Sequence, residues 1–201
     1  MDKNKGRNRT ASAERGPMTS TSLWTNYFRR DEARDEWIEL LSKVYIFASL
    51  SRRDLEHVRD LMHVREFGGN EVVFFEGQPG SGMYIIAKGE VRIVLNYGSD
   101  HEIELVRLGP GDFFGEFSLI DEAPRSATVV ATKPTTLGGF FRPDLLDLLA
   151  RKPRQGVQIV LNLSEVLTER LRRTNDELRT ARDKIAELEA KLADSTEAAE
   201  A

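Results

Sequence analysis

Hydrophobic positions along the chain change their spacing twice. Trp24, Tyr27, Phe28, Trp37, Ile38, Leu41, Val44 and Tyr45 fall mostly at steps of three and four, which predicts an amphipathic helical segment over 23–45, interrupted near 29–32. Its apolar face either packs against the protein's own core or docks a partner. Ser51 stands as an N-cap before Leu55, Val58, Leu61 and Met62, so a short helix is expected over about 52–62. Then the spacing shortens. Val64–Phe67, Val72–Phe75, Tyr84–Ala87, Val91–Leu95 and Ile103–Leu108 are short runs rich in β-branched and aromatic residues, separated by Gly-containing turns, and Val129–Phe141 supplies closing strands. Such punctuation predicts an antiparallel sandwich or barrel.

From Pro143 onward the spacing is helical again. A heptad repeat places Val157, Ser164, Leu171, Leu178, Ile185 and Leu192 at a, and Val160, Leu167, Thr174, Ala181 and Leu188 at d. At 1.5 Å per residue the repeat makes a rod of about 54 Å, longer than a small β domain can cover. In a parallel pair of such helices, Glu177 faces Arg182 and Lys184 faces Glu189, opposite in sign both times, so a parallel homodimer is expected. Exposed pairs of this kind contribute about 0–1 kcal/mol each, enough to choose orientation rather than to hold the dimer. The expected division is a disordered basic tail over 1–22, the helical segment 23–45, a β domain over 46–155, a dimerisation coiled coil over 156–193 and a disordered polar tail over 194–201.

Composition narrows the chemistry. Among 201 residues there is no cysteine, and the three histidines are scattered, so neither a disulfide framework nor a His- or Cys-rich metal site is expected. The net charge of −4 argues against a chain that coats nucleic acid, and Arg170, Arg172 and Arg173 read as a solvated helix face. No apolar run reaches the roughly 20 residues of a bilayer span, and the basic, polar start lacks the apolar stretch of a secretory signal. A soluble cytoplasmic protein is expected. Neither a phosphate-binding loop, a G-x-S-x-G elbow nor an H-E-x-x-H pair occurs, so an enzyme is not expected.

One stretch stands apart: Phe113-Phe114-Gly115-Glu116-Phe117-Ser118-Leu119-Ile120, then Pro124-Arg125-Ser126-Ala127-Thr128. It reads as a strand ending in Gly, a helical turn from about Phe117 and a return strand. Backbone amides at that turn can bind an anion, and Arg125 can reach the same place with a planar fork of donors. Glu116, an acceptor, suits a sugar hydroxyl or a cation. A ligand carrying a phosphate and a hydroxyl close together satisfies both.

This stretch resembles the phosphate-binding cassette of cyclic-nucleotide-binding domains, as in the catabolite activator protein and protein kinase A regulatory subunits. The likeness extends through Phe47, Leu50 and Ser51, Phe75 and Gly77, Met83-Tyr84-Ile85-Ile86, Gly89-Glu90-Val91 and Gly111-Asp112, over about residues 44–175. It implies an α+β fold, an antiparallel β-roll of the jelly-roll type flanked by helices, ending here in a long coiled-coil helix. It also implies that Glu116 holds the ribose 2′-hydroxyl, Arg125 the cyclic phosphate, and the amides of Phe117 and Ser118 complete the cradle around Gly115. Phe117 stands where the family has Leu. Ser126, next to Ala127, can bond a phosphate oxygen or a guanine base, so it does not choose between cAMP and cGMP. Thr174 and Asn175 are similar to positions from which the activator's dimer helix reaches the base; a tolerated interface threonine reads equally well.

The activator's helix-turn-helix module is not matched in the residues after Thr174, so signalling through a protein partner rather than DNA is expected. The resemblance therefore implies a cyclic-nucleotide sensor, with cAMP favoured, acting as a homodimer and needing no metal. The alternative is a coiled-coil scaffold whose β domain is only a folding module.

Overall fold

The computed structural model describes residues 34–200, except the side chains of 190 and 192–200. The expected basic tail and Trp24, Tyr27 and Phe28 lie outside the described residues. Residues 34–43 are helical (α1), and a compact unit begins at Trp37. It continues as α2 Arg52–Leu61, β1 His63–Phe67, β2 Val72–Phe74, β3 Gly82–Lys88, β4 Val91–Leu95, β5 Ile103–Leu108, β6 Phe113–Phe114, α3 Phe117–Ile120, β7 Thr128–Ala131, β8 Thr135–Phe141, α4 Arg142–Arg151 and α5 Pro153–Glu200.

The strands form two antiparallel four-stranded sheets, ordered β1-β8-β3-β6 and β2-β7-β4-β5. The body is thus a sandwich of two sheets flanked by helices. Alternation along β3 shows how the layers stack. Ile86 joins Phe67, Phe114, Val129 and Leu137 between the sheets, whereas Met83 and Ile85 face the helices with Phe47, Phe140, Leu145 and Leu148. The period of two therefore serves two cores with one strand, and each large side chain fully buried this way contributes about 1.5–3 kcal/mol.

Trp37, Ile38, Leu41 and Val44 are buried in the helical core, so this part of the N-terminal segment packs on its own domain. Ser51 caps α2 as expected, its hydroxyl oxygen accepting from the Asp54 amide at 3.3 Å. The continuous helix expected beyond Pro143 is instead two helices. Lys152 has φ −135° and ψ 64°, outside the helical region, because it precedes Pro153, which disfavours helix before it and suits the first turn of a new one. The two helices cross tightly: a Cβ on Gly156 would lie 2.8 Å from the Leu149 Cα.

The first part of α5 belongs to the body. Ile159 and Leu163 are completely buried, and Asn162 is 8% exposed. Asn162 Nδ2 donates to the carbonyl of Ile46 at 3.0 Å and to Ser49 Oγ at 2.9 Å, clamping α5 to the turn after α1. Beyond this clamp α5 runs on as helix to Glu200, past Asp194, where a disordered tail was expected to start. No described helix is long and apolar enough to cross a membrane.

Candidate functional site

The site is built where β6 stops. Gly115 has φ +74°, a left-handed conformation that turns the chain sharply into Glu116 and α3. Its missing side chain matters as well, because a Cβ there would lie 2.5 Å from Arg125 Nη1. The Ser118 amide donates to the Gly115 carbonyl at 3.3 Å, closing the turn.

Arg125 comes from the returning chain before β7 and is only 7% exposed. Its Nη1 donates to the Gly115 carbonyl and to Ser118 Oγ, each at 3.1 Å. The guanidinium carbon lies 4.1 Å from the centre of the Phe74 ring, whose face backs the cation. Arg125 Nε is buried and has no hydrogen-bond partner among the described residues. Burial pushes the guanidinium pKa down, while Tyr84 and Glu116 act in the opposite direction. Starting from so high a value, the group remains charged at neutral pH. A buried cation with an unmatched donor is costly alone and well suited to receive an anion.

Glu116 is 2% exposed, and its Oε1 accepts from Arg170 Nη1 of α5. Arg170 in turn lies 5.3 Å from the centre of the Phe113 ring. Among the described residues Glu116 pairs with Arg170 rather than with Arg125, whose charged form it favours without a hydrogen bond. Between Glu116 and Arg125 is a cavity of about 220 Å³. Gly115, Glu116, Phe117, Ser118, Arg125, Ser126 and Ala127 all line it. Thr174 and Asn175 do not; they are exposed on α5, about 6 Å and more beyond Arg170 along the helix axis.

Sequence reasoning missed the apolar wall. Phe74 pairs with Val129, and Val129 with Ile93, across three neighbouring strands, and all three residues line the cavity. It also left Arg170 on a solvated face, although that residue lies one helical turn before Thr174. Chemically, the arrangement offers a fork of donors for an anion, a carboxylate for a hydroxyl and an apolar wall for a flat ring. Hydrogen bonds to charged groups such as these contribute about 1.5–3 kcal/mol each.

Along α5, Val157, Leu161, Leu171, Leu178, Ile185 and Leu188 are exposed, forming an apolar stripe. The d positions Val160 and Leu167 instead pack partly against the protein's own core, so a free a/d seam starts only beyond Leu167. Within the single chain Glu177 pairs with Arg173 at 3.0 Å and Lys184 with Glu187 at 2.9 Å.

Residues 64–152 match the sequence profile of the cyclic nucleotide-binding domain. The chain is 35% identical over 133 residues to the cyclic AMP receptor protein of Thermus thermophilus, covering 66% of this chain and 60% of the relative. It is 39% identical over 114 residues to a protein of Rhodopseudomonas palustris named as a potassium channel protein, covering 57% of this chain and 27% of that one. The match therefore spans less than two thirds of either relative's own length. A crystal structure of a cyclic nucleotide-binding domain from Methylobacillus flagellatus superposes with a TM-score of 0.64 at 29% identity, covering 73% of this chain and 83% of that one. By profile, by relatives and by the stacking of its sheets and helices, the chain carries a domain of the cyclic nucleotide-binding family at residues 64–152.

Proposed function

We propose that the protein is a cyclic-nucleotide-responsive regulator, without catalytic activity, that prefers cAMP to cGMP and works in the cytoplasm as a homodimer signalling to a protein partner. The observation that carries this reading is Arg125: a buried cation backed by Phe74, lining the cavity that Glu116 also lines. The cyclic phosphate takes the guanidinium, and the ribose 2′-hydroxyl takes Glu116. Arg170 engages only Oε1 of that carboxylate, leaving Oε2 to accept from a hydroxyl. The Phe74, Val129 and Ile93 wall offers an apolar surface to the base. The preference for cAMP is supported by the name of the Thermus relative.

Titration calorimetry with cAMP and cGMP tests it, with Arg125→Ala as the control. Micromolar or tighter binding to cAMP, weakened about a hundredfold or more in the variant, is expected from the loss of charge-assisted bonds to phosphate. No heat with either nucleotide would favour the scaffold reading. That second reading draws on the apolar stripe of α5, which continues through Leu178, Ile185 and Leu188, well past the cavity.

A further inference from the structure

The loop joining β2 to β3, residues 75–81, is absent from the cavity lining, yet it holds Arg125. The Gly77 amide donates to the Arg125 carbonyl at 2.8 Å, and the Arg125 amide donates to the Gln78 carbonyl at 2.8 Å. Pro79 and Pro124 form an antiparallel bridge alongside. This reciprocal pairing fixes the arginine's backbone. Its side chain is fixed elsewhere: the Phe74 ring restrains the plane of the guanidinium, but rotation within that plane is set by the acceptors of Nη1, Gly115 O and Ser118 Oγ.

Gly80 is where loop and acceptor meet. A Cβ on Gly80 would lie 1.9 Å from Ser118 Oγ and 2.8 Å from Ser118 Cβ, both far inside contact distance. Its third neighbour, the Ala123 carbonyl, would be at 3.4 Å, an ordinary contact. The φ of Gly80 lies outside the left-handed region, so alanine can adopt this backbone. What the glycine supplies is room for the serine hydroxyl.

We infer that Gly80 is a positioning residue for the anion site: by leaving space for Ser118 Oγ, it sets the direction in which Arg125 presents its donors to the cavity. The inference rests on the reading of that cavity as a nucleotide site, and the test separates the two.

The test compares the full chain with Gly80→Ala, Ser118→Gly and the double variant, by cAMP titration and by the ¹⁵Nε resonance of Arg125 without nucleotide. Gly80→Ala is expected to lose about ten- to a hundredfold in affinity, the size of one hydrogen bond to a charged group. In the Ser118→Gly background, where the clash is gone, it should cost less than about twofold. Wild-type affinity in Gly80→Ala, or the same loss in both backgrounds, overturns the inference. Should the wild-type chain bind no cyclic nucleotide, the nucleotide reading fails, and the resonance decides the rest. A shift caused by Gly80→Ala only when Ser118 is present upholds the linkage; an unmoved resonance overturns it. If Gly80→Ala does not fold, Ser118→Ala removes the acceptor without adding bulk; unchanged cAMP affinity and an unmoved resonance in that variant overturn it equally.

Discussion

Arg170 donates to the buried carboxylate of Glu116 across a separation of 54 residues, joining the long helix to the floor of the cavity. The Glu116 side chain is 3% exposed and that of Arg170 46%. Breaking a fully buried pair costs about 3–5 kcal/mol, and the half-exposed arginine lowers the expected cost of Arg170→Met to about 1–2 kcal/mol. Glu116→Gln removes the charge that needs the partner. Urea denaturation of both single variants and the double should therefore show the double losing less than the sum, by at least about 0.5 kcal/mol. Strict additivity would mean that the pair is energetically idle.

Asn162 should matter to stability rather than to ligand affinity. Replacing it with Leu removes the donor to Ser49 Oγ and to the carbonyl of Ile46, a fully buried residue, where α5 meets the body. A loss of about 2–3 kcal/mol is expected in chemical denaturation. A loss below about 0.5 kcal/mol would show that the clamp contributes little.

The proposed homodimer is tested on the outer part of α5. Leu178 and Ile185 are exposed and lie beyond the last residues that α5 gives to the core, so changing them leaves the body untouched. Leu178→Glu with Ile185→Glu puts like charges face to face in a parallel seam. Light scattering should report a dimer for the natural sequence and a monomer for the variant, with the same thermal melting of the β domain. A dimer that survives the change would place the interface elsewhere.

The cap of α2 predicts a dependence on pH. The Ser51 hydroxyl donates to Asp54 Oδ2 at 2.6 Å and holds the carboxyl below its ordinary value of 3.8, helped by Gln155 and Lys152 and opposed by burial. A depressed carboxyl stabilises the folded chain above its unfolded pKa, and that contribution disappears as pH falls through the folded value. Asp54→Asn should cost less than about 1 kcal/mol at pH 7, given the exposure of the group, and a smaller amount at pH 2. An equal loss at both values, read from thermal melts, would refute the electrostatic account.

The strands and the cassette were legible because their signals are local. β4 and β5 fall within the residues that β-branched and aromatic runs and turn punctuation indicated, and the stretch from Gly115 to Ala127 was recognisable as one unit. What escaped was long-range. A helical period at Val160 and Leu167 says that a face is apolar, not whether the protein's own core or another helix covers it. Nor can one-dimensional spacing show that Phe74, Val129 and Ile93 become neighbours through strand register, or that Arg170 meets Glu116. The break at Lys152 was available in Pro153, but the helical spacing from Pro143 onward outweighed it.

The anchoring of α5 by Asn162 also has a mechanical side. Beyond Arg170 the helix continues for another 30 residues, to Glu200, or about 45 Å. It is therefore a lever whose short arm lies at the cavity. A tilt of about 5° where Arg170 meets Glu116 would carry the far end about 4 Å sideways, comparable to the gap between packed side chains on neighbouring helices. An adjustment too small to alter the cavity's own packing would thus be large enough, at the tip, to change which surface fits against it.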